Sequence, residues 1–319
     1  MARRMRKLVR RARKRVRPLG TAARRLERTL ERRVPVLDRR RKRRRLEKTD
    51  VVVVSFPKSG RTWMRYALAH YLSLRAGVPV DTGLNRSAGS VGFEHLLDNA
   101  RRGPLFPEAL MGKRLVVMVR DPRDVAVSHY HHSRHRTGNV DFELREFLDH
   151  PLYGIERQSA FVLDLLDVAD RHPGDVHVMS YERLRGSTES EMRRFLRFAL
   201  DEPVDEHHLR GAVEASDFAN MRRWETELSS EGAQRKGLGR AEWDGRTERL
   251  KVRRGAVGGF RSEMDESLQA DVSSRPMTRR LLERLAEIDA AASRARADEL
   301  VGVGAGAGLA SQSSPGEEP

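Results

Sequence analysis

The sequence contains no cysteine among its 319 residues. Disulfide bonds, thiolate catalysis and metal sites with cysteine ligands are therefore excluded. The chain also lacks an apolar run of about 18 residues, the length that a membrane-spanning helix needs. Its charged start, MARRMR, is not followed by the apolar core of a secretion signal. Together these absences predict a protein of the reducing cytoplasm.

The net charge of +16 is concentrated at one end of the chain. Residues 1–50 contain 23 Lys and Arg against five Asp and Glu, and the rest is nearly neutral. Such a segment buries too little apolar surface to fold, so residues 1–49 are predicted to form a basic, largely disordered arm. Each basic residue near an anionic membrane surface contributes about 1 kcal/mol of binding. We therefore expect peripheral association with the inner membrane surface, and no specific nucleic-acid binding.

The remainder of the chain alternates strand and helix patterns. The β-branched run at residues 51–54 predicts a buried parallel strand, and apolar spacing over residues 62–76 predicts a helix after it. Similar patterns predict strands at 114–119 and 176–181, and helices at 156–171, 189–200 and 275–292. This alternation indicates an α/β fold with a mostly parallel sheet flanked by helices, formed by residues 50–301. The Gly-rich residues 302–319 are predicted to be a disordered, low-complexity tail.

The turn between the first strand and the first helix reads FPKSGRTW, residues 56–63. Backbone amides at a helix N-terminus attract anions, Gly60 permits close approach, and Lys58 adds positive charge. The Lys precedes the Gly, so the string differs from the nucleoside-triphosphate loop G-x-x-x-x-G-K-[ST]. No neighbouring acidic pair suggests a magnesium site. The string predicts a phosphate-binding loop of another type; on this string alone, a helix start that binds nothing stays open.

This string resembles the 5′-phosphosulfate-binding loop of sulfotransferases that use 3′-phosphoadenosine 5′-phosphosulfate (PAPS). RDPRDVAVS, residues 120–128, is similar to the family's 3′-phosphate signature, and KVRRGAVGGF, residues 251–260, is similar to its R-K-G-x-x-G-x-W segment. Two shorter matches, SYE at 180–182 and SDF at 216–218, lie between them. All five matches occur in the family's order, which implies a P-loop-like sulfotransferase fold.

The resemblance implies which residues bind PAPS as co-substrate. The 5′-phosphate would be held by Lys58, Ser59, Gly60, Arg61 and Thr62. The 3′-phosphate would be held by Arg120, Ser128, Arg253, Arg254 and Gly255. The adenine would be contacted by Trp63, Tyr181 and Phe218. Arg61 replaces the Thr that is usual in the family's loop, and we expect Arg123 and Asp124 to form a solvated helix start rather than to bind.

The same resemblance implies in-line sulfuryl transfer to an acceptor hydroxyl, with Lys58 stabilising the leaving oxygens. The family uses a histidine as general base, and the pKa of histidine suits this role near neutral pH. His95 is the candidate, because it is the histidine that lies between the first two motifs and outside the first helix. The neighbouring Glu94 is the second candidate. Phe93 stands where many family members have a helper lysine.

The sequence gives little indication of a metal site or of the acceptor. His131 and His135 are one helical turn apart, but no third ligand accompanies them, so we expect no metal site. Few aromatic residues lie between residues 79 and 107, which argues against a flat phenolic pocket. Together with the basic arm, this favours a carbohydrate, a glycolipid or another alcohol as the acceptor.

Two other functions stay open at this point. A nucleotide kinase or NTPase would also use a phosphate loop, although it would need ATP and magnesium. A non-catalytic protein could instead bind polyanions or a membrane surface through residues 1–49.

Overall fold

A computed structural model describes residues 46–77, 87–88, 91–94, 110, 112–227, 245 and 247–307. Its centre is a five-stranded sheet in the order β2-β3-β1-β4-β5. The strands are β1 Val51–Val54, β2 Ser87–Ala88, β3 Val91–Glu94, β4 Arg114–Val119 and β5 Val176–Ser180. Neighbours are parallel except β2 and β3, which are antiparallel. The prediction of a mostly parallel sheet is confirmed.

Ten α-helices surround or extend from this sheet in the described residues. They are α1 Arg61–Ala76, α2 Pro122–His131, α3 Leu144–Asp149, α4 Ile155–Arg171, α5 Tyr181–Gly186, α6 Thr188–Leu200, α7 Glu206–Ala215, α8 Phe218–Glu227, α9 Glu266–Ser274 and α10 Pro276–Ala307. A π-helical segment, His132–Thr137, continues α2. Two 3₁₀ turns span Thr247–Arg249 and Gly259–Ser262. None of the described helices is long and apolar enough to cross a membrane.

The four valines of β1 alternate between two hydrophobic clusters. Val51 and Val53 belong to a cluster with residues of α1, α6 and α7, among them Met64, Leu68, Phe195 and Leu209. Val52 and Val54 belong to a second cluster with residues of α4 and α10, among them Phe161, Leu165 and Leu281. Both faces of the sheet are therefore covered by helices, as the unbroken valine run predicts.

The described structure extends beyond the predicted boundaries of the body. Leu46 is 2% exposed and belongs to the same cluster as Val52, so the body begins at or before Leu46 rather than at residue 50. At the other end, α10 continues to Ala307, past the predicted helix end at 292 and into the predicted tail. The predicted arm up to residue 45 and the tail from residue 308 lie outside the described residues.

The carboxyl ends of β1, β4 and β5 lie side by side at one edge of the sheet. In the parallel register Val54 pairs with Val117, and Val119 pairs with Ser180. Ligands of open α/β sheets bind beyond this edge. The phosphate loop follows β1, the motif RDPRDVAVS follows β4, and the motif SYE begins at the end of β5. Strand pairing alone therefore brings three of the five motifs together.

Candidate active site

The phosphate loop between β1 and α1 adopts a backbone conformation that few residues tolerate. Gly60, the residue before α1, has φ 101°, and Lys58 has φ 76°, in the left-handed region. A non-glycine residue there costs about 1 kcal/mol or more and marks a constrained, often functional, position. A Cβ at Gly60 would lie 2.8 Å from the ring of Tyr181, so only glycine fits. Ser59 is buried, and Arg61 and Thr62 are half-buried in the first turn of α1.

Lys58 lies where a positive charge is poorly tolerated. Burial and the nearby Arg136, Arg120 and Arg253 together lower its pKa to about 8, and Glu225 acts in the opposite direction. Burial and like charges both disfavour the protonated amine, and a bound anion would reverse this effect. The loop therefore fits a phosphate or phosphosulfate group.

Arg120, directly after β4, links the phosphate loop to the C-terminal motif. Its guanidinium donates hydrogen bonds to the carbonyls of Lys58 at 3.2 Å and Ala256 at 2.9 Å. It also lies 4.0 Å from the ring centroid of Tyr181. Its Nε is buried, and the described part of the chain provides no hydrogen-bond acceptor for it. Arg120 thus holds the site's backbone together and keeps a donor that an anion could use.

The prediction that Arg123 and Asp124 form a solvated helix start is wrong. Asp124 is 4% exposed, and its carboxylate accepts hydrogen bonds from the amides of Gly258 at 2.8 Å and Phe260 at 2.9 Å. It also lies 3.4 Å from Arg120. The guanidinium of Arg123 pairs with Asp121 and lies over the ring of Phe260. Both side chains therefore anchor the C-terminal motif to α2, a role that spacing along α2 could not reveal.

The C-terminal motif packs directly on the predicted adenine site. Gly255 has φ 62°, and a Cβ there would overlap the ring of Phe218. The hydroxyl of Tyr181 donates to the Gly255 carbonyl at 3.0 Å. The rings of Trp63 and Tyr181 meet edge to face at 6.0 Å. The three predicted adenine-binding aromatic residues and this glycine therefore surround one part of the site.

Arg185 is a residue of this region that the sequence comparison with the family missed. This exposed guanidinium lies 5.6 Å from the ring of Trp63 and 5.8 Å from that of Phe218. The only feature of the sequence that points to Arg185 is its position one turn after the SYE motif. That position becomes informative only when the motif is known to face the site.

A buried carboxylate, Glu225 on α8, fixes the start of the C-terminal motif. It accepts hydrogen bonds from the amides of Lys251 at 2.7 Å and Val252 at 2.9 Å, and pairs with Arg136 at 2.7 Å. Burial, with Arg65, Arg136 and Lys58 nearby, lowers the pKa of Lys251 to about 7. Nothing in the local sequence around Glu225 distinguishes it from an exposed helix residue.

The arginine pair of the C-terminal motif contacts a carboxylate of the same chain. Arg253 and Arg254 lie 2.9 Å and 3.0 Å from Glu263, which is also 3.2 Å from the ring of His131. The rings of His131 and His135 stack at 5.4 Å. Among the residues that the structure describes, no cluster of three side chains could hold a metal ion.

The remaining predicted site residues are less well defined. Ser128 is half-buried on α2, one turn after Asp124. Glu94 ends β3, where its backbone pairs with that of Val54 at the edge that carries the phosphate loop. His95, the first candidate for the general base, lies outside the described residues.

Comparison with known proteins identifies the family. A family model described as a sulfotransferase domain matches residues 103–275, more than half of the chain. Cytosolic sulfotransferase 12 of Arabidopsis thaliana is 24% identical over 263 residues, covering 72% of this chain and 77% of that protein. A WSCD family member of Drosophila pseudoobscura is 27% identical over 185 residues, covering 50% of this chain and 53% of its own length.

A solved structure shows the same fold. The crystal structure of retinol dehydratase, in complex with androsterone and the inactive cofactor PAP, superposes with a TM-score of 0.52 at 20% identity. The match covers 74% of this chain and 80% of that one. The family model and the fold both point to a sulfotransferase, as the five motifs in their order did. The chain therefore belongs to the sulfotransferase domain family, which confirms the predicted class of enzyme, a sulfotransferase.

Proposed function

We propose that this protein transfers the sulfuryl group of PAPS to a hydroxyl group of an acceptor. The observation that carries this proposal is the contact between motifs far apart in sequence. Arg120 joins the phosphate loop to the C-terminal motif, and Tyr181 contacts both. These contacts create one cationic site next to a group of aromatic rings. Such a site suits a nucleotide that carries phosphate groups at both the 3′ and the 5′ position of its ribose.

The donor would be held by groups of this chain at three points. The amides at the start of α1 and the amine of Lys58 suit the 5′-phosphosulfate. Arg120, Ser128 and the arginine pair suit the 3′-phosphate, since guanidinium groups match phosphate geometry. Trp63, Tyr181 and Phe218 suit the adenine. The matching charge and shape at all three points favour PAPS over ATP, which has no 3′-phosphate.

When bound, PAPS supplies an activated sulfuryl group. The acceptor oxygen forms a bond to sulfur in line with the bond to the phosphate oxygen, which breaks and leaves PAP, 3′-phosphoadenosine 5′-phosphate. Lys58 stabilises the charge that develops on the leaving oxygen, as positioned cations do in phosphoryl transfer. The acceptor proton goes to a base, for which His95 and Glu94 are the two candidates.

We further propose that the acceptor is a carbohydrate, a glycolipid or another alcohol. The described walls of the site carry the polar, basic side chains of Lys58, Lys251 and Arg136. The residues between 79 and 107 supply few aromatic rings for a phenol. Both features support a polar, hydroxyl-rich acceptor over a flat aromatic one.

Calorimetric titration of PAP into the full-length protein tests the donor site, with AMP and ATP as comparison ligands. We expect PAP to bind most tightly, and Arg253→Ala to weaken it about tenfold or more, since a lost charged hydrogen bond costs about 1.5–3 kcal/mol. The exposed Arg157→Ala on α4 serves as the matched control. Equal or tighter binding of ATP would contradict the proposal and favour a kinase or NTPase. Release of PAP from PAPS in the presence of candidate alcohols then tests transfer.

We also propose that residues 1–49 bind anionic membrane surfaces, because their net charge is +19. The full-length protein should co-sediment with vesicles that contain phosphatidylserine, and much less so at high salt, because the attraction is electrostatic. Neutral phosphatidylcholine vesicles are the control. Equal binding to both kinds of vesicle would contradict this proposal.

A further inference from the structure

Glu263 occupies the two arginines that are expected to bind the 3′-phosphate. It directly follows the 3₁₀ turn Gly259–Ser262 and bends back towards the C-terminal motif. Its Oε1 lies 2.9 Å from Arg253 Nη1 and 3.0 Å from Arg254 Nη1, and its Oε2 lies 3.2 Å from His131 Nε2. One carboxylate of the chain therefore contacts both guanidinium groups of the pair.

A carboxylate and a phosphate compete for such a pair. Both accept hydrogen bonds from guanidinium groups, but a phosphate monoester carries a charge of about −1.5 to −2 near neutral pH and three acceptor oxygens. Burial alone would raise the pKa of Glu263, yet its hydrogen bond to Arg253 and the proximity of His131 hold the pKa below its usual range. Glu263 is thus negatively charged and would repel a phosphate at the same arginines.

The surroundings allow this carboxylate to leave without dismantling the site. The side chain of Glu263 is 18% exposed, and that of Arg254 is 52% exposed. The backbone beside the arginines is held by other contacts, because Arg222 donates to the Arg253 carbonyl and Tyr181 donates to the Gly255 carbonyl. The arginine pair can therefore exchange its anion while its backbone stays in place.

We propose that Glu263 is an internal counter-ion that the 3′-phosphate of the donor replaces at Arg253 and Arg254, and that it thereby sets the affinity for the donor. This inference rests on the proposed function. The carboxylate of Glu263 neutralises the arginine pair, so a singly charged anion gains little by binding there. A phosphate dianion displaces the carboxylate because the phosphate forms more and stronger hydrogen bonds. Glu263 thereby weakens binding of the 3′-phosphorylated nucleotide and favours its exchange.

Calorimetry on the full-length protein tests this role. Glu263→Gln should bind PAP about tenfold more tightly than the unaltered protein, since a competing charge is removed, and should bind AMP equally well, since AMP lacks the 3′-phosphate. Glu263→Asp, which keeps the charge but shortens the side chain, should show a smaller gain and provides the answer if the Gln variant does not fold. The exposed Glu266→Gln is the matched control and should bind PAP as the unaltered protein does.

The possible results separate the inference from the function on which it rests. Unchanged or weaker PAP binding by the Gln variant would overturn the inference, and weaker binding would mean that Glu263 positions the arginines. An equal gain for PAP and AMP would also overturn it, because the effect would then be general electrostatics. Failure of the unaltered protein to bind PAP would overturn the proposed function and this inference with it.

Discussion

Lys58 combines a constrained backbone with a charge that its surroundings disfavour. Its left-handed φ of 76° occurs two residues before Gly60, where the ring of Tyr181 leaves no room for a Cβ. Such strain at a cation is expected where a ligand compensates for it. The charge state of Lys58 should therefore be visible in the pH dependence of the enzyme.

We predict that PAP affinity and kcat/KM fall as the pH rises above about 8. The pKa of Lys58 is about 8 in the folded protein, so deprotonation at higher pH removes the cation that binds the anionic donor. Lys58→Arg, whose guanidinium keeps its charge, should retain PAP binding in the alkaline range. A pH profile from 6 to 10 measures this. The same alkaline fall in the Arg variant would assign the titration to another group, such as Lys251.

Asp124 offers a second test at this scale. Asp124→Asn removes the negative charge that faces Arg120. It also replaces one acceptor oxygen by an NH2 group, which cannot accept the hydrogen bond from the amide of Gly258 or Phe260. We expect the free energy of unfolding to fall by about 1–3 kcal/mol and PAP affinity to fall about tenfold. The exposed Asp141→Asn is the control. Lost stability with unchanged PAP affinity would show that Asp124 only stabilises the fold.

At the scale of elements, the site is produced by the strand order. β1, β4 and β5 are parallel neighbours, so the residues after them share one edge, and the sequence pattern predicted these strands closely. The C-terminal motif reaches this edge differently, through a loop and two 3₁₀ turns with no strand of its own. Its position depends on close contacts, above all that of Gly255 with Phe218.

We predict that Gly255→Ala weakens binding of both PAP and AMP. The new Cβ would collide with the ring of Phe218 and displace it from the predicted adenine site. Gly138→Ala is the matched control, because Gly138 has a similar φ of 65° but has nothing within 4 Å of the added atom. Both variants should lose about 1 kcal/mol of stability from backbone strain. Equal effects on nucleotide binding would contradict the collision argument.

At the scale of the whole molecule, half-buried histidines couple folding to pH. His177 on β5 stacks on Phe198, and burial, with Arg183 and Arg194 nearby, lowers its pKa to about 4. Burial and the nearby Lys58 lower the pKa of His132 to about 3. Both are therefore neutral in the folded protein at pH values where the unfolded chain protonates them.

We predict that the free energy of unfolding falls as the pH drops from 6.5 to 5. Each of the two histidines binds a proton in the unfolded chain through this range but not in the folded protein, which costs up to about 1.4 kcal/mol per pH unit. Chemical denaturation at several pH values measures the slope. His177→Phe removes one of these titrations and should make the slope measurably smaller. An unchanged slope in this variant would contradict the assignment.

The sequence by itself determined the features that depend on neighbouring residues. Valine runs and apolar spacing predicted the parallel strands and the helices around them, and the order of five short motifs predicted the family. Residues inside the motifs, such as Lys58 and Gly60, could be proposed as site residues because their chemistry is encoded within a few positions. The burial of Leu46 and the continuation of α10 to Ala307 were not predicted, because neither leaves a clear local pattern in the sequence.

Only the tertiary structure decided which distant groups meet. Asp124 binds amides more than 130 positions away, Glu225 binds the start of the C-terminal motif, and Glu263 covers the arginine pair. These carboxylates lie in ordinary helical or polar surroundings, so periodicity and composition do not distinguish them from exposed residues. Their roles arise because chain folding removes them from water, and a buried charge is stable only where donors and opposite charges are assembled around it.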